Sequence, residues 1–145
     1  IISRTFSKAY GLAGLRVGYI ISHYKISKLL FNLKPMYEIN SIAILASTFM
    51  LRNPKIRKNY IFETEKGKNI LLKYLDDNGF SYVKTHANFI YIKMGKKINS
   101  FYKRLFNQGI LTKIGMSIKG YDDYLRITLG PSKQIKKIIS QLKTL

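Results

Sequence analysis

The alternation of apolar and polar positions predicts two short strands separated by a polar loop at the start of the chain. Ile1–Arg4 is typical of the end of a strand, and residues 5–16 are polar and interrupted by glycines. Val17–Ile21 has the apolar, β-branched character of a second strand. A helix is then predicted over Lys25–Asn32, and Pro35 ends it because proline lacks the amide hydrogen that a helix needs.

Two more helices are predicted on either side of Asn53–Pro54, which is the strongest boundary signal in the chain. Asn40 or Ser41 can cap the first of them, which extends to Leu51. The second covers Lys55–Asn78 and has an amphipathic pattern. The positions predicted to be buried in this second helix are Ile56, Tyr60, Ile70, Leu71 and Leu75.

Two glycines bear on the length of that second helix. Gly79 follows it at the position where a residue in the left-handed conformation commonly ends a helix. Gly67 lies within it, and glycine is about 1 kcal/mol less favourable than alanine inside a helix. The pattern therefore leaves open whether the helix is continuous.

Strand-like and helical segments alternate from residue 80 onward. Helices are predicted over 98–107, which Gly109 ends, and over 133–142, which Ser132 caps. The pattern predicts an α/β fold in which helices cover a small sheet. The predicted strands are 80–83, 88–94, 110–114 and 124–129, and the apolar face of the last helix comprises Ile135, Ile138, Ile139 and Leu142.

The composition narrows the class of protein. The 145 residues include no cysteine, which excludes disulfides and cysteine-ligated metal sites, and His23 and His86 lack metal-ligand spacing. The longest uncharged apolar stretch, Ile39–Leu51, is shorter than the roughly 20 residues that a membrane-spanning helix needs. The N-terminus also lacks a charged-then-apolar signal layout. We therefore expect a cytoplasmic protein with no metal and no membrane partner.

The formal net charge of +19 raises the possibility of a basic nucleic-acid-binding module. Its lysines are scattered along the chain and far outnumber the arginines, whereas surfaces that read bases rely on the planar guanidinium. Ile, Lys, Asn, Tyr and Phe are enriched together, and all five have A/T-rich codons. We interpret the charge as genome composition on a solvated surface and expect no specific nucleic-acid partner.

One segment, Thr5–Tyr19, combines residues that can bind a phosphorylated ligand. Lys8 follows a predicted strand and comes after two hydroxyl residues, Thr5 and Ser7. Arg16 follows eight residues later, and an arginine can hold phosphate through two parallel charge-assisted hydrogen bonds. The alternative interpretation is a surface loop with an ordinary lysine and a structural arginine, and the length and order of the motif disfavour it.

The segment Ser7–Tyr19, SKAYGLAGLRVGY, closely resembles the cofactor-lysine signature of the class I and II aminotransferases. The nearest subgroup is the histidinol-phosphate aminotransferases, and the threonine-phosphate decarboxylases are close by. The resemblance implies that Lys8 forms a Schiff base with pyridoxal 5′-phosphate and acts as the catalytic acid and base. It also implies that Arg16, Thr5 and Ser7 bind the phosphate of the cofactor.

Two segments further along resemble the same family. Tyr124–Gly130 is similar to a strand whose arginine binds the α-carboxylate of the substrate, which implies that role for Arg126. Gly109–Lys113 is similar to a segment in which the histidinol-phosphate enzymes carry an arginine toward the substrate phosphate. This chain has Lys113 there, so the resemblance implies substrate binding by a lysine and leaves the substrate open.

The resemblance implies the C-terminal part of the fold-type I transferase fold. Residues 1–53 would end the large cofactor-binding domain, and residues 54–145 would form a small α/β domain. The implied reaction transfers an amino group between glutamate and a phosphorylated or aromatic keto compound, with histidinol phosphate, and thus histidine biosynthesis, as the leading case and decarboxylation of threonine phosphate as the alternative. We expect a homodimer, and we expect this segment alone to lack activity because family members have upstream residues that complete the site.

Overall fold

The first of two structural units spans Ile1–Ile61, and the second spans Phe62–Leu145. The computed structural model of the protein describes residues 1–36 and 38–143. Across those residues, no helix combines the length and the apolar character that crossing a membrane requires. The predicted division at residue 54 coincides with the first residue of a long helix that crosses from one unit to the next. Its assignment to a large and a small domain stays a prediction.

The first unit is built on an antiparallel pair of strands followed by two helices. Strand β1 (Ile2–Thr5) pairs with β2 (Gly18–Ile21), and helices α1 (Tyr24–Leu33) and α2 (Ser41–Arg52) come next. All four elements match the predicted ones to within a few residues. Asn40 caps α2, because its Oδ1 accepts a hydrogen bond of 2.8 Å from the amide of Ala43.

The core of the first unit is small. Phe6, Val17 and Ala43 are buried, and α1 contains no buried residue. Exposed apolar side chains that form a contiguous patch commonly mark contact with further polypeptide. The large side chains exposed on α1 and α2 include Leu29, Phe31, Leu33, Ile42, Leu45 and Phe49.

Helix α3 (Pro54–Asp77) is continuous over 24 residues, which settles the question that Gly67 had left open. Gly79 has φ +67° and ends the helix in the left-handed conformation, as predicted. The predicted burial of Ile56 and Tyr60 is wrong, since these side chains are 46% and 45% exposed. Both lie in the first two turns, whereas the buried positions of α3 begin at Gly67, where the helix packs against the second unit's core.

The second unit contains a three-stranded antiparallel sheet of β3 (Tyr82–Val83), β4 (Phe89–Lys93) and β5 (Tyr124–Thr128), in that order. Helices α4 (Ile98–Asn107) and α5 (Ser132–Leu142) join α3 in covering one face of the sheet. This arrangement confirms the predicted α/β class. The core formed between sheet and helices includes Leu71, Leu75, Ile90, Ile92, Phe101, Leu105, Leu125, Ile127, Ile135 and Leu142.

Two local predictions in the second unit are wrong. The predicted strand over 110–114 is reduced to a single bridge between Lys113 and Arg126, because only this residue pairs with β5. Ser132 does not cap α5, since the cap position is Pro131 and makes no side-chain hydrogen bond. The hydroxyl of Ser132 instead donates to Oε2 of Glu63 at 3.3 Å, which ties α5 to α3.

Gly67→Ala should destabilise the protein even though alanine is the better helix former. A Cβ at position 67 would overlap the carbonyl oxygen of Gly130 and lie 3.0 Å from Cγ1 of Ile135. Overpacking of this kind costs about 1–3 kcal/mol, which exceeds the propensity gain of about 1 kcal/mol. Denaturant unfolding should show a loss of stability, whereas the exposed control Asn69→Ala should be neutral or slightly stabilising. A stability gain in Gly67→Ala would contradict this packing.

Candidate functional site

The β1–β2 pairing closes the loop that carries Lys8 and Arg16. Thr5 lies opposite Gly18 in the register, and the amide of Phe6 donates to the carbonyl of Val17 at 3.1 Å. The loop between Phe6 and Val17 therefore begins and ends at the same end of the hairpin. Because Phe6 and Val17 are also buried, both ends of the loop are anchored in the core of the first unit.

Thr5 and Ser7 form a compact hydroxyl pair at the beginning of this loop. Oγ1 of Thr5 donates to Oγ of Ser7 at 2.9 Å, and the amide of Ser7 donates to Oγ1 of Thr5 at 3.0 Å. This local turn fixes both hydroxyl groups on one side of the backbone. The structure therefore brings together two of the residues predicted to bind phosphate.

Lys8 follows directly and is exposed. Its carbonyl accepts a hydrogen bond from the amide of Gly11 at 2.9 Å, in a tight turn that Gly11 completes with φ +72°. The rings of Phe6 and Tyr10, which flank the lysine in sequence, lie 4.5 Å apart. The amine is thus carried on a turn that both hydrogen bonding and ring packing hold in place.

Arg16 adopts the left-handed conformation, with φ 54° and ψ 45°. For a residue other than glycine this conformation costs on the order of 1 kcal/mol, and such strain concentrates at functional sites. Nη1 of Arg16 donates to the carbonyl of Ala13 at 2.8 Å, and the other N–H groups of the guanidinium have no hydrogen-bond partner among the residues that the structure describes. Arg16 therefore combines a strained backbone conformation with a side chain that one hydrogen bond holds in place.

Gly18 follows at the point where the two strands approach closely. A Cβ built on Gly18 would lie 2.6 Å from the carbonyl oxygen of Arg4 on β1. Only glycine permits this close approach of the two strands. The approach places Thr5 opposite the end of the loop that carries Arg16. The glycine of the motif is therefore required by strand pairing.

A pocket of about 700 Å³ lies between β2 and α1 in the first unit. Arg16, Tyr19 and Ile20 form one wall, and Leu30 and Phe31 form the other. Lys8 does not line this pocket. It is connected to the pocket only through the loop that also carries Arg16. Besides Arg16 and the apolar side chains, the lining includes Ser27 and the ion pair between Lys34 and Glu38, so the pocket carries charged groups of both signs.

The second group of predicted residues lies within the second unit, on the outer face of the three-stranded sheet. Arg126 is at the centre of β5, with Tyr91 of β4 opposite it on one side. On the other side, Lys113 and Arg126 exchange two backbone hydrogen bonds of 3.2 and 2.8 Å. Directly paired residues of antiparallel strands project to the same face of a sheet, so the structure brings these two cations together.

The electrostatics of this face favour an anion. Among residues 1–36 and 38–143, no salt bridge includes Arg126 or Lys113. Like charges directly opposite each other on a sheet are destabilising, and a bound carboxylate or phosphate would relieve that repulsion. The half-buried guanidinium of Arg126 lies instead over the ring of Phe89, with 5.2 Å between Cζ and the ring centroid.

The aromatic residues of this face were not predicted from the sequence. The rings of Phe89 and Tyr91 are 5.4 Å apart, Tyr91 and Tyr121 are 5.1 Å apart, and Tyr121 and Tyr124 are 4.8 Å apart. The alternation of Phe89, Tyr91 and Lys93 between the buried Ile90 and Ile92 was the available signal. It places the two rings on the face opposite the core.

Several other polar residues have local partners. His23 accepts a hydrogen bond from the amide of Lys25 at the start of α1, and within the described ranges no three histidine or acidic residues cluster as metal ligands. The hydroxyl of Tyr82 donates to Asp76 at 2.8 Å. This hydrogen bond, with a smaller contribution from burial, raises the pKa of Tyr82 above its ordinary value. Asp123 lies 3.8 Å from Lys93.

Comparison with known proteins gives matches over nearly the whole chain. The family model of class I and II aminotransferases matches residues 1–142. Histidinol-phosphate aminotransferase 2 of Carboxydothermus hydrogenoformans is 35% identical over 143 residues, and the match covers 99% of this chain and 39% of that protein. The chain thus spans about two fifths of the length of this relative.

Solved structures show the same fold. Histidinol-phosphate aminotransferase from Sinorhizobium meliloti, in complex with pyridoxal 5′-phosphate, gives a TM-score of 0.80 at 22% identity over 95% of this chain and 38% of that chain. L-threonine-O-3-phosphate decarboxylase from Porphyromonas gingivalis gives a TM-score of 0.75 at 23% identity over 98% of this chain and 45% of that chain. The predicted fold-type I transferase architecture is therefore confirmed.

Two substitutions at position 16 should separate backbone strain from side-chain chemistry. Both Arg16→Gly and Arg16→Ala remove the guanidinium, but only glycine adopts φ 54° without a steric cost. Arg16→Gly should therefore be more stable than Arg16→Ala by about 1 kcal/mol in denaturant unfolding. Equal stabilities of the two variants would show that position 16 is unstrained.

Proposed function

The chain belongs to the class I and II aminotransferases, and we propose that this protein uses pyridoxal 5′-phosphate to transfer an amino group. The proposed exchange is between glutamate or 2-oxoglutarate and a phosphorylated or aromatic substrate, with histidinol phosphate as the leading case. The observation that carries the proposal is the closed loop of the first unit. It holds an amine, two hydroxyls and a guanidinium between two paired strands.

The residues of that loop fit a phosphorylated aldehyde. Thr5 and Ser7 supply hydroxyl groups within 2.9 Å of each other, and Arg16 supplies a guanidinium, which is the donor set that a phosphate prefers. Lys8 supplies the primary amine that condenses with an aldehyde. We assign phosphate binding to Thr5, Ser7 and Arg16, and covalent attachment of the cofactor to Lys8.

Lys8 also has the catalytic role in this proposal. When bound, the cofactor supplies the electron sink that makes the Cα proton of an amino acid acidic. With the cofactor bound and a substrate amine in place of Lys8, the free Nζ of Lys8 would act as the base that removes the Cα proton and then as the acid that gives a proton back. Lys8 is exposed, so a substrate can reach its amine, and the hydrogen-bonded turn fixes the backbone that carries it.

We assign substrate binding to the cations of the second unit. Arg126 would hold the α-carboxylate of glutamate through its planar fork, and Lys113 would hold a substrate phosphate as a point charge. Their placement opposite each other on one sheet face, without a carboxylate partner in the described residues, supports anion binding at both. The name of the Carboxydothermus relative supports histidinol phosphate as the phosphorylated substrate.

Decarboxylation of threonine phosphate is the second candidate. The chain shares its fold with the Porphyromonas decarboxylase, and Lys8 and Arg16 would serve both reactions. A phosphate-binding Lys113 is equally compatible with either substrate. The aminotransferase reaction is favoured because the family model and the curated relative both carry that name.

We also propose a location, an oligomeric state and a pathway for the protein. We infer a cytoplasmic homodimer that functions in histidine biosynthesis and binds small amino and keto acids. The apolar side chains exposed on α1 and α2 support contact between the first unit and further polypeptide. The net charge of +19 stays interpreted as surface composition, without a specific nucleic-acid partner.

Lys8→Ala in the complete protein should abolish the visible absorption of covalently bound pyridoxal 5′-phosphate. Alanine lacks the amine that condenses with the aldehyde, whereas the exposed control Lys28→Ala removes a lysine outside the loop and should keep the absorption. The spectrum of each purified variant with added cofactor is the measurement. An unchanged spectrum in Lys8→Ala would assign the cofactor to another lysine.

The reaction class is tested by supplying the complete protein with glutamate and imidazole-acetol phosphate. The proposal predicts 2-oxoglutarate and histidinol phosphate in equal amounts, and no product from Lys8→Ala. A parallel incubation with threonine phosphate detects carbon dioxide. Release of carbon dioxide without 2-oxoglutarate would replace the proposed function with the decarboxylase alternative.

A further inference from the structure

We propose that Phe89 is a positioning residue that fixes the guanidinium of Arg126, so that the arginine meets a substrate carboxylate in one orientation. The inference rests on the proposed function, in which Arg126 binds the α-carboxylate. It adds a residue to which neither the sequence motifs nor the family resemblance gave a role. Phe89 acts through Arg126 and does not contact the substrate in this account.

The geometry places the ring where it restrains the arginine. Phe89 pairs with Thr128, two positions along β5 from Arg126, so its side chain lies on the same sheet face and diagonal to the arginine. The distance of 5.2 Å between Cζ and the ring centroid is within the range of a cation–π contact. A free arginine side chain carries about 2 kcal/mol of rotamer entropy, and contact with a ring face removes part of it before a ligand arrives.

Phe89 is itself held on two sides. The hydroxyl of Thr85 donates to the carbonyl of Phe89, which anchors the backbone at the start of β4. The edge of the neighbouring Tyr91 ring meets Phe89 at an interplanar angle of 70° and a centroid distance of 5.4 Å. A half-buried ring with these two restraints offers the guanidinium a fixed surface.

The position of Lys113 gives such a restraint a physical purpose. It lies directly opposite Arg126 on the other side from β4, and its positive charge repels the guanidinium. A ring face attracts the cation from the β4 side and opposes this repulsion. The aromatic contact therefore holds the guanidinium on the β4 side of Arg126.

An aromatic ring suits this task better than a carboxylate. An aspartate or glutamate in the same place would pair with the guanidinium and compete with the substrate for its N–H donors. A ring interacts with the face of the planar cation and leaves the hydrogen-bond donors in its edge free. Phe89 can therefore orient Arg126 without occupying the groups that bind the carboxylate.

The test compares two amino donors in the complete, cofactor-loaded protein, with binding followed by the absorbance change of the half-reaction. Glutamate carries an α-carboxylate, and histidinol phosphate is an amino alcohol that lacks one. Phe89→Leu and Phe89→Met keep an apolar side chain and remove the ring, and Phe89→Tyr keeps the ring. Arg126→Lys serves as the reference variant for the proposed function.

Phe89→Leu and Phe89→Met should weaken glutamate binding about fivefold to tenfold, as the loss of one cation–π restraint implies. Phe89→Tyr should bind glutamate as the wild type does, and none of the three should change histidinol phosphate binding. Equal loss for both donors would show that Phe89 has only a structural role, and unchanged glutamate binding in the leucine and methionine variants would also overturn the inference. If Arg126→Lys leaves glutamate binding unchanged, the proposed role of Arg126 fails and the inference fails with it.

Discussion

The antiparallel pairing of β1 with β2 is the interaction on which the candidate cofactor site depends. The segment from Ser7 to Arg16 has no regular strand or α-helix, and only its closure by the Phe6–Val17 hydrogen bond makes its two ends neighbours. Closing a loop of this length costs entropy, which the buried side chains of Phe6 and Val17 offset. Gly18 permits the close approach of the two strands, and Arg16 adopts a left-handed backbone conformation that is strained for a residue other than glycine.

In the second unit, the sheet positions the arginine that we propose as the carboxylate-binding residue. Its sheet buries Ile90, Ile92, Leu125 and Ile127 on one face, and the alternation of strand residues then fixes Arg126 on the other. The buried residues of the sheet therefore determine the direction of the Arg126 side chain. Lys113 adds a second positive charge at the same height of the sheet, and aromatic rings take the place that a carboxylate would hold in a structural ion pair.

Most of the fold could be predicted from the sequence, because the apolar periodicity was strong in every long element. α4 and the buried face of α5 match their predictions residue by residue, since four apolar positions at helical spacing allow one interpretation. The errors of burial occurred where the packing depended on neighbours outside the element, and the other errors concerned the strand over 110–114 and the cap of α5. The pattern of Ile56 and Tyr60 marks an apolar face of α3 but does not say what covers it. Phe89 was missed because an aromatic residue in a strand more often serves the core, and only the register shows that it faces Arg126.

The central claim is that the amine of Lys8 carries the cofactor, and chemical mapping tests it most directly. The complete protein is loaded with pyridoxal 5′-phosphate, the bond between cofactor and protein is reduced with borohydride, and the digested peptides are identified by mass spectrometry. The account predicts that the added pyridoxyl mass lies on the peptide that contains Lys8 and follows Ser7. Stoichiometric labelling of any other lysine would contradict the assignment, and the roles given to Thr5, Ser7 and Arg16 would lose their basis.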